Sequence, residues 1–352
     1  MSAEAIHASS AKPQRHTAAM VGFALASLVA IALVVGVSVG IGDMPIPLST
    51  TYFAITNKLG WTEVPLNRIH ETVIWDYRLS RALVAVFCGA GLALCGAIMQ
   101  ALLRNPLAEP YVLGISAGAS TGAVAVVILG IGAGAVSLSA GAFAGAFAAF
   151  LLVALLSNGA RGGADRTILA GVAASQLFNA ATSYIVTTSG NAQQARDVMF
   201  WLLGSLGGVR WPEFALVSIV VGLGLIACLF YARVLDAFAF GDEAAASLGI
   251  DIGRTRIVLF ALTAIMTATI VSMVGTIGFV GLVVPHATRF VVGPLHARLL
   301  PACAVTGAIF MVLADIASRT LVPQQLLPIG VVTALVGVPF FSVILYKLQR
   351  AS

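Results

Sequence analysis

Apolar stretches long enough to cross a bilayer recur along nearly the whole chain. They lie at residues 19–41, 82–103, 110–130, 135–156, 167–187, 214–232, 257–276, 278–293, 299–318 and 329–346. A helix spans a hydrocarbon core of about 30 Å with about 20 residues. Lipid offers no hydrogen-bond partner, so a spanning backbone must satisfy itself as a helix or a closed barrel. Runs of this length and spacing predict an all-α, polytopic membrane protein. Composition agrees, because only 9% of the residues are charged. Soluble proteins carry about 25% and need that charge to cover their surface.

Span counting turns on residues 257–285, an unbroken apolar run of 29 with Gly275, Gly278 and Gly281 near its end. The glycines offer a place to turn, and splitting the run there gives ten spans with both termini on one side. Cytoplasmic loops collect Lys and Arg. With the N-terminus inside and ten spans, 12 of the 19 Lys and Arg fall inside and seven outside. Residues 1–18 are polar and read as a cytoplasmic tail, and 19–352 read as a single transmembrane domain. The first apolar stretch exceeds the core of about 7–15 residues in a cleavable signal peptide, so it reads as a retained span.

Three segments are not simple spans. Residues 42–81 read as a long outside loop and 188–213 as a second outside segment. Residues 233–256 are polar and inside, and Gly241–Gly249 at their centre suits a short helix stopped by Gly249. Within the spans, Gly141 and Gly145 form a GxxxG pair, the signature of close helix packing in lipid. The four cysteines lie in apolar stretches without a CxxC spacing and read as small core residues.

Several chemistries lack their apparatus. The three lysines, Lys12, Lys58 and Lys347, do not follow a glycine, so there is no GxxxxGK[ST] phosphate loop. There is no HExxH. Ion-coupled carriers use ionisable groups near the bilayer midplane. Here Asp315 lies near the outer end of a span and Glu109 at the edge of another. A transporter so built draws its energy from a separate subunit at the inner face. An ion-coupled carrier or channel is the rival of a different class.

Long motifs then carry a resemblance. Arg104-Asn105-Pro106-Leu107-Ala108-Glu109-Pro110 precedes Leu113-Gly114-Ile115-Ser116-Ala117-Gly118-Ala119. Gly278-Phe279-Val280-Gly281-Leu282-Val283-Val284-Pro285-His286, Leu313-Ala314-Asp315 and Leu327-Pro328-Ile329-Gly330-Val331-Val332-Thr333 follow in order. Over about residues 75–348 the chain resembles the type II (FecCD-type) ABC importer permeases of iron–siderophores, haem and cobalamin. That resemblance implies ten transmembrane helices, a bacterial inner membrane location and no catalytic site or cofactor on this chain. It implies a homodimer, two ATP-binding subunits that hold the ATP and Mg, a periplasmic substrate-binding protein, and no nucleic acid.

The same resemblance implies site residues. Arg78-Leu79-Ser80-Arg81 is similar to the family's Arg-Leu-Pro-Arg, and with Arg319 it gives three candidates for docking the binding protein. Gly241, Asp242, Glu243, Ala244, Ala245, Leu248 and Gly249 resemble the coupling helix that meets the ATPase. Asn105 and Leu107 are candidates for the cytoplasmic gate, although Asn105 before Pro106 is also plain turn chemistry. Ser175, Asn179 and Thr182 or Ser183 share one face of the fifth span. That face lines the pathway or hydrogen-bonds a neighbouring helix. His286 reads as an ordered structural histidine. Phe200–Leu206 leans toward the haem and siderophore branches, with cobalamin the alternative substrate.

Overall fold

The computed structural model describes residues 4–42, 44–157, 163–189, 191–322 and 325–351. Arg161, one of the inside cations, lies outside the described residues. The helices in order are α1 (Glu4–Gly40), α2 (Leu48–Lys58), α3 (Arg68–Thr72), α4 (Ser80–Leu102), α5 (Ile115–Leu129), α6 (Leu138–Leu156), α7 (Gly163–Thr188) and α8 (Ala192–Leu202). There follow α9 (Trp211–Phe230), α10 (Ala232–Phe238), α11 (Asp242–Ser247), α12 (Ile252–Val274), α13 (Val280–Val292), α14 (His296–Thr320) and α15 (Ile329–Ala351). The fold is all-α, and each of the ten apolar stretches is helical. Among the described residues, seven helices are long and apolar enough to span by length and composition, and α5, α13 and the apolar part of α15 are shorter.

Two expected boundaries move. The stretch read as an N-terminal tail is helical from Glu4, continuous with α1. The stretch read as an outside loop, residues 42–81, also holds helix. Asn67 accepts a hydrogen bond from Ile69 N and caps α3, and a wide π-helical stretch over Val73–Leu79 leads directly into α4. No Pro or Gly interrupts residues 68–79, so nothing stops the helix before it enters the apolar run. Arg68–Leu102 is therefore one helical rod of 35 residues. The segment 188–213 likewise contains α8, capped by Asn191, which accepts from Gln193 N and Gln194 N.

Helix α4 is the core of the bundle, with nearly all its residues buried. Its glycines let two neighbours approach backbone to backbone and make room for side chains of two more. Gly89 meets Gly307 of α14, Gly96 meets Gly281 of α13, and Gly91 receives Val221 of α9 and Ile270 of α12. On the other side, Gly118 and Gly122 of α5 face Gly145 and Gly141 of α6. The GxxxG pair thus meets a second one, the close approach that substitutes for hydrophobic drive in lipid.

The 29-residue apolar run does break, at Gly275 (φ 72°), and α13 restarts after Phe279 (φ 69°). The turn is internal, since Gly275 and Ile277 are buried. Irregular backbone at such a place needs protein partners. Tyr111 Oη donates to Ile277 O at 3.0 Å and accepts from Ile277 N at 3.1 Å. Thr276 Oγ1 donates to Leu202 O.

Pro285 then costs α13 a hydrogen bond, because it has no N–H for the carbonyl four residues back. Gln100 of α4 fills the gap: its Nε2 lies 3.4 Å from Gly281 O and 3.1 Å from Leu282 O. Arg289 holds the amide the right way round by donating to Gln100 Oε1 at 3.2 Å. Gln100→Leu should cost about 1–3 kcal/mol through the orphaned carbonyl. Thermal unfolding in detergent reads this directly, and an unchanged midpoint would refute it.

Candidate functional site

At one end of the bundle, two of the three motif arginines, Arg81 and Arg319, meet at Asp315. Arg81 Nε donates to Asp315 Oδ1 at 2.7 Å, and Arg319 Nη2 lies 3.0 Å from Oδ2. Asp315 is fully buried. The arginines have a second set of partners at the C-terminus of α1. Arg319 donates to Ile41 O at 2.7 Å and Ser38 O at 3.2 Å, and Arg78 donates to Val39 O and Met44 O. The last carbonyls of a helix lack intrahelical donors and carry its negative dipole end. Two guanidinium groups answer both needs.

This arrangement divides the three cations. Arg78 and Arg319 are turned inward and tie α1 to the α3–α4 rod and to α14. Arg81 also borders a cavity of about 240 Å³, shared with Phe200, Trp201, Ser205, Ser318 and Leu327. The role of Asp315 as the shared partner of Arg81 and Arg319 is not visible from hydropathy. Its signal is an acid inside an apolar run with an arginine four residues on, one helical turn away.

At the opposite end, α11 is displayed on the surface. Glu243, Leu248 and Gly249 are exposed, and Ala244 is half-buried. Leu248 is 72% exposed and the neighbouring Phe240 83%, an apolar edge left uncovered among the described residues. Ala245 and Gly241 turn inward. Asp242 accepts from Arg256 of α12, whose Nη2 lies 2.9 Å from each carboxylate oxygen. Nearby, Asp236 of α10 accepts from the backbone N of His296 at 2.8 Å and sits 2.7 Å from its Nδ1, pinning the start of α14.

The turn after α4 shows the chemistry expected before a proline. Asn105 Oδ1 accepts from Leu107 N at 2.9 Å, and Leu107 itself is exposed. The polar face of α7 is split. Thr182 is buried, and its Oγ1 lies 2.8 Å from Thr121 Oγ1 of α5, an interhelical hydrogen bond. Asn179 and Ser183 are exposed together with Gln176, and Ser175 is half-buried.

Comparison with known proteins decides the family. The pattern of the FecCD transport family matches residues 28–347. The chain belongs to the FecCD transport family. Among curated FecCD-type relatives, a cobalamin import system permease of Halobacterium salinarum is 38% identical over 332 residues, covering 92% of this chain and 87% of that protein. A hemin transport system permease of Yersinia pestis is 36% identical over 327 residues, covering 92% and 93%. The solved structure of a metal-chelate type ABC transporter in an inward-facing conformation superposes with a TM-score of 0.80 at 28% identity, covering 92% of this chain and 98% of that one.

Membership makes this chain a multi-pass permease of the ABC importer type. Its FecCD relatives are named for different cargoes, so family alone leaves the substrate open. Arg81 and its cavity lie at one end of the bundle and α11 at the other.

Proposed function

We propose that this chain is the membrane-spanning permease of an ATP-driven, binding-protein-dependent importer of an iron chelate, a ferric siderophore or haem. In this reading two copies enclose the pathway, and two ATP-hydrolysing subunits sit at the inner face. Both termini lie in the cytoplasm of a bacterial inner membrane. A periplasmic binding protein docks at the outer rim through Arg81, with Arg78 and Arg319 holding that rim in shape. The exposed Gln176, Asn179 and Ser183 of α7 then face the pathway, and Asn105 and Leu107 stand at its inner mouth.

The observation that carries the reading is α11. It is a short helix with an uncovered apolar edge at Phe240 and Leu248, held to the bundle by a salt bridge. Such an element suits transmission of a rigid-body movement from a partner. Among the described residues, the carboxylate deepest in a span, Asp315, is already committed to two arginines, which argues against its cycling as the coupling group of an ion-driven carrier.

Cobalamin is the second reading for the cargo, favoured by the relative named for it. Deleting the gene in an iron-starved host and supplying haem or a ferric siderophore as sole iron source separates them. Loss of growth on one iron source assigns that chelate. Growth on both, with loss of cobalamin uptake, assigns the corrinoid. Proteoliposomes holding this chain alone should move none of them, and nucleotide-free uptake would overturn the ATP-driven reading.

A further inference from the structure

Helix α11 joins the rest of the chain through two glycines in positive-φ backbone, Gly241 (φ 104°) and Gly249 (φ 80°). Glycine tolerates this region and much of its neighbourhood, so the two joints are the most pliant points of the segment. A six-residue helix between two such joints would swing rather than transmit force. The side-chain tie that stops it is Asp242 to Arg256, with one guanidinium nitrogen 2.9 Å from both carboxylate oxygens. The Arg256 side chain is only 7% exposed, and its guanidinium lies 5.6 Å from the ring centre of Phe238 in α10. Arg256 therefore ties three elements, α10, α11 and α12, at one buried point.

What Arg256 holds at its other end is a rod. Helix α12 runs 23 residues to Val274, about 34 Å at 1.5 Å per residue. Its far end is bonded into the wall of the outer cavity. Val274 O accepts from Ser205 N at 2.8 Å, and Gly275 packs against the backbone of Trp201 and Gly204. Trp201 and Ser205 line the cavity that Arg81 borders. Bonded neighbours thus lead from α11, through one ion pair and one helix, to the outer cavity.

We propose that Arg256 is the positioning residue that makes α11 and α12 move as one body, so that displacement of α11 is delivered to the outer cavity. This rests on the reading of α11 as the contact for the ATPase. Arg256 touches neither nucleotide nor cargo. Its loss frees α11 on its glycine joints and lets hydrolysis proceed without movement of the pathway.

The test uses the assembled importer in proteoliposomes, with radiolabelled haem, ferric citrate and cobalamin each offered in turn. Arg256→Gln should still co-purify with the ATPase subunits and hydrolyse ATP. Cargo imported per ATP should fall about tenfold, within the usual range of coupling energies. The charge-swapped pair Asp242→Arg with Arg256→Asp should recover part of the loss, a rescue that a simple packing role would not give. Should Arg256→Gln fail to assemble, Arg256→Lys carries the same measurement, with a smaller loss expected. Unchanged import per ATP in the variant that assembles overturns the proposal and leaves the permease reading intact. Retained ATPase association after deletion of Gly241–Gly249 overturns the reading beneath it.

Discussion

Asp315→Leu should prevent the chain from accumulating as a folded membrane protein. The substitution matches the apolar surroundings, yet it strands Arg81 and Arg319 beside one another with their shared carboxylate gone. Removing one partner of a buried ion pair typically costs about 3–5 kcal/mol, because the remaining charge stays buried and unpaired. That is a large part of the stability of an ordinary domain. Arg319→Met should cost nearly as much, since it also removes the donors to Ser38 and Ile41 at the end of α1. Arg81→Met should be mildest, because Asp315 keeps Arg319 and the side chain that is lost borders a cavity. Membrane abundance and thermal unfolding in detergent should therefore rank the three variants in that order. Binding-protein affinity should rank them differently, with Arg81→Met the most impaired among those that fold. Equal stability of Asp315→Leu and the parent protein would remove the ion cluster from the account of the fold.

Hydropathy made the helices legible, because a spanning backbone has almost no alternative conformation in lipid. The break in residues 257–285 was legible too, from Gly275 and its neighbours. What hydropathy does not carry is the path of the chain at the polar ends. Residues 68–79 read as loop because they hold Asp76, Arg78 and polar neighbours, yet they continue α4 as helix. Side chains that look solvent-bound there are satisfied by other elements, as Arg78 is by the carbonyls of Val39 and Met44. The polar residues of α7 show the same limit. Periodicity places Thr182 and Asn179 near one another, but only contact with Thr121 separates the interhelical hydrogen bond from the exposed face. The ion pairs that Asp315 and Arg256 make emerge only when distant segments meet.

Two glycines on different helices provide the sharpest contrast in packing. A Cβ on Gly96 would overlap the backbone of Gly281, carbonyl oxygen included, whereas a Cβ on Gly222 of α9 meets nothing within 4 Å. Alanine is the better helix former by up to about 1 kcal/mol, so Gly222→Ala should be neutral or slightly stabilising. Gly96→Ala should go the other way. The obstructing atoms are backbone, so no rotamer change relieves them and α13 must move off α4. Overpacking a close contact costs about 1–3 kcal/mol, enough to outweigh the gain in propensity. The displacement would also pull Gly281 O from the Gln100 amide that replaces its missing donor, adding an unsatisfied buried carbonyl. Paired thermal unfolding of the two alanine variants in detergent should therefore show opposite signs for the same chemical change. If both variants shift together, the α4–α13 contact is softer than its geometry demands, and the close approach of Gly96 and Gly281 does not set the position of α13.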